Sequence, residues 1–117
     1  MTLLIIKIDE RYYTTPESSD CFMAPFSNGI FLMNLSNTHS LIYNKYPVFK
    51  DHLLVITRSY EHQSIRLTGN DLMATYQTLL SVKGFAFYNS SKTAGASQDH
   101  KHLQVLSYKA FDNSFFK

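Results

Sequence analysis

Two histidines and a glutamine, His100, His102 and Gln104, recur at a spacing of two near the end of the chain. On an extended strand, alternate side chains point to the same face, so these three would stand in one row. On a helix, the same three side chains would scatter around the axis. A row of two imidazoles and a carboxamide suits nucleophilic attack on phosphorus, because one ring can attack while its neighbours orient it and bind phosphate oxygens.

The segment before this row carries further groups that bind anions. Asn89 ends a predicted strand, and a loop of small residues that includes Gly95 and Ala96 leads back to the histidines. Small side chains let backbone amides approach an anionic ligand closely. Ser97 and Gln98 add side-chain donors at the end of this loop. The loop and the row together therefore predict a phosphate site.

Simpler interpretations of the same residues stay open. A small-residue loop between two strands is often only a hairpin connection, and a His-x-His pair is often an exposed polar strand face. The pair could also supply half of a zinc site, completed by one further histidine. The candidates for that histidine are His39, His52 and His62. Lys101 lies between the two histidines on the alternate, otherwise apolar face of the strand, and nothing local in the sequence explains it.

The composition indicates one globular domain. The chain has 117 residues, of which 44% are hydrophobic and 17% charged, and its net charge is only +2. Such a weak charge argues against a nucleic-acid partner. Cys21 is the single cysteine, which favours a reducing compartment. The apolar run Leu3 to Ile6 is far too short for a membrane span or a signal peptide, so we expect a cytoplasmic protein without a membrane partner.

Strand patterns dominate the rest of the chain, whereas the polar residues 9–28 predict a long irregular connection. The predicted strands before the histidine strand are residues 2–8, 30–34, 40–45, 52–57 and 85–89. Because short turns join most successive strands, we expect an α+β fold. It would consist of an antiparallel meander sheet with one main helix, about residues 69–83, packed on one face.

The caps and the apolar spacing define that helix. Thr68 is the predicted N-cap, and Asp71, three residues on, completes a capping-box variant. Gly84 can take the left-handed conformation that ends many helices. The apolar side chains fall on one helical face, which we expect to be buried. This face consists of Leu72, Tyr76, Leu79 and Leu80.

The sequence around the histidines resembles a known enzyme family. Residues 95–104, Gly-Ala-Ser-Gln-Asp-His-Lys-His-Leu-Gln, look like the signature of the ATP adenylyltransferases, or diadenosine tetraphosphate phosphorylases, of the histidine-triad superfamily. The similarity continues upstream through residues 44–47, 52–57 and 87–89, in family order and at similar spacing. It covers roughly residues 40–106.

The resemblance implies a role for each member of the row. His102 matches the nucleophile, which attacks an α-phosphate and becomes adenylylated. His100 matches the histidine that positions this nucleophile through hydrogen bonding. Gln104 replaces the third histidine of the hydrolase branches. A carboxamide binds phosphate but does not readily help to activate water, so this replacement implies that inorganic phosphate accepts the nucleotidyl group.

Other matches concern the substrate, which the resemblance implies to be a dinucleoside polyphosphate together with inorganic phosphate. Lys45 matches a lysine that meets the polyphosphate, and Asn89, Ser97 and Gln98 match phosphate-contacting positions. The resemblance implies no covalently bound cofactor and is compatible with a divalent cation such as magnesium on the polyphosphate. An oligomer is also compatible with the resemblance, since histidine-triad relatives often dimerise.

The resemblance further implies a HIT-like fold. Because the family's usual chain is considerably longer, we expect residues 1–117 to form a single HIT-like nucleotide-binding domain, truncated at its C-terminus relative to the family. Two other functions stay open. One is a sugar-1-phosphate nucleotidyltransferase, whose related signature also ends in His-x-His-x-Gln, and the other is a nucleotide-binding protein that has lost catalysis.

Overall fold

The computed structural model describes residues 20–45, 51–90 and 98–110, which form five strands and one main helix. The predicted strand at residues 2–8 lies outside the described residues. Within the described segments, no helix is both long enough and apolar enough to cross a membrane. The elements are β1 (Phe31–Asn34), β2 (His39–Tyr43), β3 (His52–Thr57), α1 (Gly69–Ser81), β4 (Gly84–Phe87), β5 (His102–Ser107) and a 3-10 turn (Tyr108–Ala110).

All five strands form one antiparallel sheet in the order β1-β2-β3-β5-β4, so the predicted α+β fold with a single main helix is confirmed. The first three strands are the expected meander, but β5 inserts between β3 and β4. Strands β3 and β4 therefore run in the same direction, and such strands need a long crossover, which α1 supplies. As a result, β5 is a central strand with a neighbour on each side.

The pleat of the sheet separates two apolar clusters. On one face, Val55, Leu103 and Val105 pack together with Ala74 of α1. On the other face, the segment before β1 contributes phenylalanines that cover β2 and β3. Side chains of β5 alternate between the two faces, so His102 and Gln104 lie on the face opposite the helix.

The predicted capping box at the start of α1 is confirmed. The Thr68 hydroxyl accepts a hydrogen bond from the backbone N–H of Asp71 at 3.1 Å, and the Asp71 carboxylate accepts one from the backbone N–H of Thr68 at 2.7 Å. The predicted C-terminal cap is wrong, because Val82 caps the helix in an extended conformation and Gly84 begins β4. Gly84 is needed there for another reason: a Cβ would lie 1.9 Å from the carbonyl oxygen of Leu106 on β5.

The predicted buried face of α1 is also wrong. Leu72, Tyr76 and Leu80 are more than half exposed, and only Leu79 of the expected apolar face packs against the core. Small and polar side chains face the sheet instead, which allows the helix to approach it closely. These buried residues are Asp71, Ala74, Thr75 and Thr78.

A buried ion pair explains both the orientation of α1 and the unexpected lysine that directly precedes β5. The Lys101 Nζ lies 2.8 Å from the Asp71 carboxylate and donates to the Arg66 carbonyl at 2.9 Å, and the Lys101 side chain is fully buried. The other oxygen of Asp71 accepts a hydrogen bond from His39 Nε2 at 2.7 Å. The first turn of α1 is thus tied to the residue that lies between the two histidines.

Candidate active site

His102 lies at the start of the central strand β5, where it pairs with Ile56 of β3. Its Nδ1–H donates to the backbone carbonyl of His100 at 2.7 Å, which leaves the proton-free nitrogen at Nε2. Among the described residues, no group hydrogen-bonds this Nε2 atom. A neutral imidazole with a fixed tautomer and an unoccupied lone pair is a competent nucleophile.

His102 is only 3% exposed. The Phe22 ring packs edge-on against it, with ring centroids 4.9 Å apart. Burial lowers the pKa of His102, and the nearby His100 and His52 rings lower it further, against the opposing effect of the hydrogen bond to the His100 carbonyl. Its neutral, nucleophilic form therefore persists to lower pH than that of an ordinary histidine.

Phe22→Ala is expected to raise the pKa of His102 toward 6.5, because water would then reach the imidazole and stabilise its charged form. A titration of the histidine ring signals by NMR measures this shift directly. Ile42→Ala is the matched control, since Ile42 is buried in the same apolar cluster but lies on β2, two strands away. Equal pKa values for His102 in the wild type and in F22A would contradict this explanation.

His100 precedes β5 and forms an isolated backbone bridge with His62. Its Nδ1 lies 2.7 Å from the Asp20 carboxylate, and its Nε2 lies 2.7 Å from the Thr57 carbonyl oxygen. Both ring nitrogens are therefore engaged away from His102. The hydrogen bond that orients the His102 ring is accepted by the main-chain carbonyl of His100, and the His100 side chain takes no part in it.

Gln104 belongs to a chain of hydrogen bonds that the sequence did not reveal. The Asn44 amide donates to Nδ1 of His52 at 3.3 Å, and Nε2–H of His52 donates to the Gln104 Oε1 at 2.7 Å. Burial lowers the pKa of His52, against the opposing hydrogen bond with Gln104, and so favours the neutral form of this ring. Since its oxygen is occupied, Gln104 has its NH2 group left to donate to a ligand oxygen.

Three other members of the predicted phosphate site are described by the structure: Lys45, Asn89 and Gln98. Lys45 follows Asn44 directly at the end of β2, and the Asn89 carbonyl accepts a hydrogen bond at 2.6 Å from Gln63, which also contacts His102. Gln98 is half-buried two residues before His100. Three predicted loop residues lie outside the described residues: Gly95, Ala96 and Ser97.

The zinc alternative receives no support from the histidines that were its candidates. His39 is bonded to Asp71, His52 to Gln104, and His62 to Ser64. Across residues 20–45, 51–90 and 98–110, no three side chains of the types that bind metals are grouped for a metal ion.

The sheet topology, with two histidines at the entry of its central strand, is that of a HIT-like fold. The structure of a histidine triad protein from Clostridium difficile superposes with a TM-score of 0.53 over 67% of this chain and 78% of that chain. The sequences are 16% identical, so this likeness concerns the fold.

The chain belongs to the Ap4A phosphorylase N-terminal domain family, whose sequence model matches residues 7–115. The diadenosine 5',5'''-P1,P4-tetraphosphate phosphorylase 2 of Saccharomyces cerevisiae is 32% identical over 88% of this chain. Protein APA1 of the same yeast is 38% identical over 61% of the chain. The crystal structure of yeast Ap4A phosphorylase Apa2 in complex with Ap4A is 34% identical, with a TM-score of 0.59 over 68% of the chain.

The chain spans only part of the length of these relatives. It covers 36% of the yeast phosphorylase 2, 24% of Protein APA1 and 30% of the chain in the Ap4A complex.

Proposed function

We propose that this chain carries the nucleotidyl-transfer chemistry of an enzyme that splits diadenosine tetraphosphate (Ap4A) with inorganic phosphate. The observation that carries the proposal is the 2.7 Å hydrogen bond from His102 Nδ1–H to the His100 carbonyl, which leaves Nε2 as the nucleophile. The family to which the chain belongs, and the yeast relative solved in complex with Ap4A, support a nucleotide substrate.

The reaction would proceed in two displacements at one phosphorus atom. Nε2 of His102 attacks the α-phosphorus of one adenosine, a phosphorus–nitrogen bond forms, and the phosphorus–oxygen bond to the remaining triphosphate breaks, so that ATP leaves. An oxygen of inorganic phosphate then attacks the same phosphorus, and the bond to His102 breaks. ADP leaves and the imidazole is regenerated, so Ap4A and phosphate give ATP and ADP.

The neighbouring residues would bind the phosphates during both steps. The Gln104 amide, oriented by His52, would donate to a phosphate oxygen, and Lys45 would supply positive charge to the polyphosphate, which would bind as its magnesium complex. Asn89, Gln98 and the loop residues 95–97 would complete the anion site. Because a carboxamide is a poor base, Gln104 gives water little help, and the adenylylated histidine would persist until phosphate arrives.

Incubation with Ap4A and labelled inorganic phosphate is expected to give labelled ADP and unlabelled ATP in equal amounts. Product separation by chromatography measures both nucleotides. If AMP forms instead of labelled ADP, water is the acceptor and the phosphorylase assignment is wrong. Activity on a UDP-sugar with hexose phosphate, but not on Ap4A, would favour a sugar-1-phosphate nucleotidyltransferase.

A nucleotide-binding role without catalysis is the second candidate. Calorimetry with ATP separates the two: binding without turnover of Ap4A by any acceptor would favour this role. For either function we propose a cytoplasmic location, where nucleotide substrates and a reduced Cys21 are expected.

A further inference from the structure

We propose that Gln63 is a positioning residue for the nucleophile His102. Its carboxamide hydrogen-bonds the main chain of His102 in place of a residue on a neighbouring strand. It thereby fixes the position of His102 and keeps the two strands apart next to the proposed phosphate site. Gln63 is 1% exposed and lies in the segment between β3 and α1. Its catalytic consequence rests on the function proposed above, but its structural part can be tested without any turnover.

The register of the sheet shows which strand partner Gln63 replaces. On β4 and β5, Phe87 pairs with Gln104. Two residues further along this antiparallel ladder, Asn89 would pair with His102. The pairing between β4 and β5 instead ends at Phe87, and the Gln63 side chain occupies the gap.

The Gln63 carboxamide satisfies the main-chain groups that this missing pair would otherwise engage. Its Oε1 accepts from the His102 backbone N–H at 2.7 Å, and its Nε2 donates to the His102 carbonyl at 3.1 Å. The same Nε2 also donates to the Asn89 carbonyl at 2.6 Å. One amide thus holds both the start of β5, which carries the proposed nucleophile, and the segment that follows β4 toward the predicted phosphate loop, while keeping the two apart.

The backbone of Gln63 is itself anchored on both sides, so its side chain has a fixed starting point. Its N–H donates to the Asp99 carbonyl at 2.6 Å, and its carbonyl accepts a hydrogen bond from the Tyr88 hydroxyl. Two residues before Gln63, the Glu61 carbonyl accepts a hydrogen bond from the Lys101 N–H at 2.7 Å. Residues 61–63 therefore pair like a short additional strand with residues 99–101, which directly precede β5.

Gln63→Met is the main test, because methionine has a similar length and volume but forms none of the three hydrogen bonds. In the wild-type chain, we expect the His102 amide proton to be strongly protected from hydrogen exchange and no amide–amide contact between Asn89 and His102 in the NOE spectrum. In Q63M, we expect either loss of that protection or a new Asn89–His102 contact, as the strands close. If neither changes, the proposal is overturned, whatever the activity.

The second readout is turnover of Ap4A. We expect kcat to fall about 100-fold in Q63M, because small displacements of a reacting group have effects of this size, with KM changed less than about threefold. Thr78→Val is the matched control: Thr78 is equally buried and donates to the Ala74 carbonyl within α1, away from the nucleophile. An equal fall of kcat in T78V would mean that Gln63 affects turnover only by stabilising the fold in general.

Gln63→Asn keeps the test decisive if Q63M does not fold. Its amide is one methylene too short to reach all three main-chain groups, so we expect a folded protein with a smaller fall in kcat and partial loss of His102 amide protection. Wild-type protection of His102 in Q63N would contradict the proposal. If the wild-type chain binds but does not turn over Ap4A, the proposed function fails, while the exchange and NOE results still decide the placement of Gln63.

Discussion

His102→Ala is expected to lower the rate of ATP and ADP formation from Ap4A and phosphate by about ten-thousand-fold or more, since removal of a covalent nucleophile leaves only binding and electrostatic effects. The loss should appear in kcat. Substrate binding should persist, because Lys45, Gln104 and the predicted phosphate loop are unchanged. Calorimetry with ATP and rapid measurement of product formation separate these two quantities.

A trapped intermediate makes this test specific to the nucleophile. Ap4A labelled in its adenosine moieties should label the wild-type chain on His102 through an acid-labile phosphorus–nitrogen bond, and H102A should remain unlabelled. His102→Asn guards against a folding defect, because its amide can still donate to the His100 carbonyl while it lacks a nucleophilic nitrogen. Label retained in both variants would assign the nucleophile to another residue.

His62→Ala is the matched control for this loss. The backbone of His62 forms the bridge with His100, but its imidazole is exposed and contacts Ser64 and Asp99 rather than His102. We expect H62A to retain nearly the full rate. A comparable loss in H62A would mean that a general change in this part of the molecule, rather than the missing nucleophile, explains the effect.

Local features of the fold were predictable from the sequence because neighbouring residues determine them. The capping box of Thr68 and Asp71 and the strand His52–Thr57 both depend on residues close in sequence. The position of β5 between β3 and β4 depends on pairing between distant segments, and the predicted meander missed it.

The buried face of α1 could not be predicted from apolar spacing, because one long-range ion pair opposes that pattern. Placing Leu72 and Tyr76 against the sheet would turn Asp71 away from Lys101 and leave a buried lysine without its carboxylate. The cost of such a charge exceeds the gain from burying two more apolar side chains. The sequence showed the anomaly as a lysine on an apolar strand face, but not its partner.

The candidate site was likewise only partly predictable from the sequence. Strand spacing alone predicted that His102 and Gln104 share one face of a strand, and the pleat of β5 places them there. Gln63 was not identified, because its partners are main-chain groups of residues 26 and 39 positions away. Every residue has a main-chain carbonyl, so the sequence gives no sign of which ones a distant side chain will bind. Asp20 was likewise missed, since only the folded chain brings it to His100.

The buried pair of Lys101 and Asp71 carries the largest expected effect on stability. Lys101→Met should lower the free energy of unfolding by about 3–5 kcal/mol, because Asp71 would remain buried as an uncompensated charge. Domains of this size typically have about 5–15 kcal/mol of stability, so K101M is expected to be marginally folded. Urea denaturation followed by circular dichroism measures the loss.

The pH range of this effect follows from the two pKa values. Burial alone would raise the pKa of Asp71, but hydrogen bonds from Lys101, Thr68 and His39 outweigh it and lower that pKa below 3.8. Burial alone would lower the pKa of Lys101, but Asp71 and Glu61 outweigh it and raise that pKa above 10.5. The carboxylate's contribution is therefore lost as the pH falls through the lowered pKa, and the lysine's as the pH rises through the raised one. Between these limits the pair contributes fully.

A double-mutant cycle separates the ion pair from the other contacts of its members. Asp71→Asn alone should cost a similar amount as K101M, since it leaves Lys101 buried without its counter-charge. The double variant should be more stable than the sum of the single losses predicts, with a coupling of about 0.5–3 kcal/mol, because neither charge remains unpaired. Lys83→Met, at an exposed position after α1, is the control and should change stability by less than about 0.5 kcal/mol. Strictly additive losses would show that Lys101 and Asp71 stabilise the fold independently, and that the helix orientation has another cause.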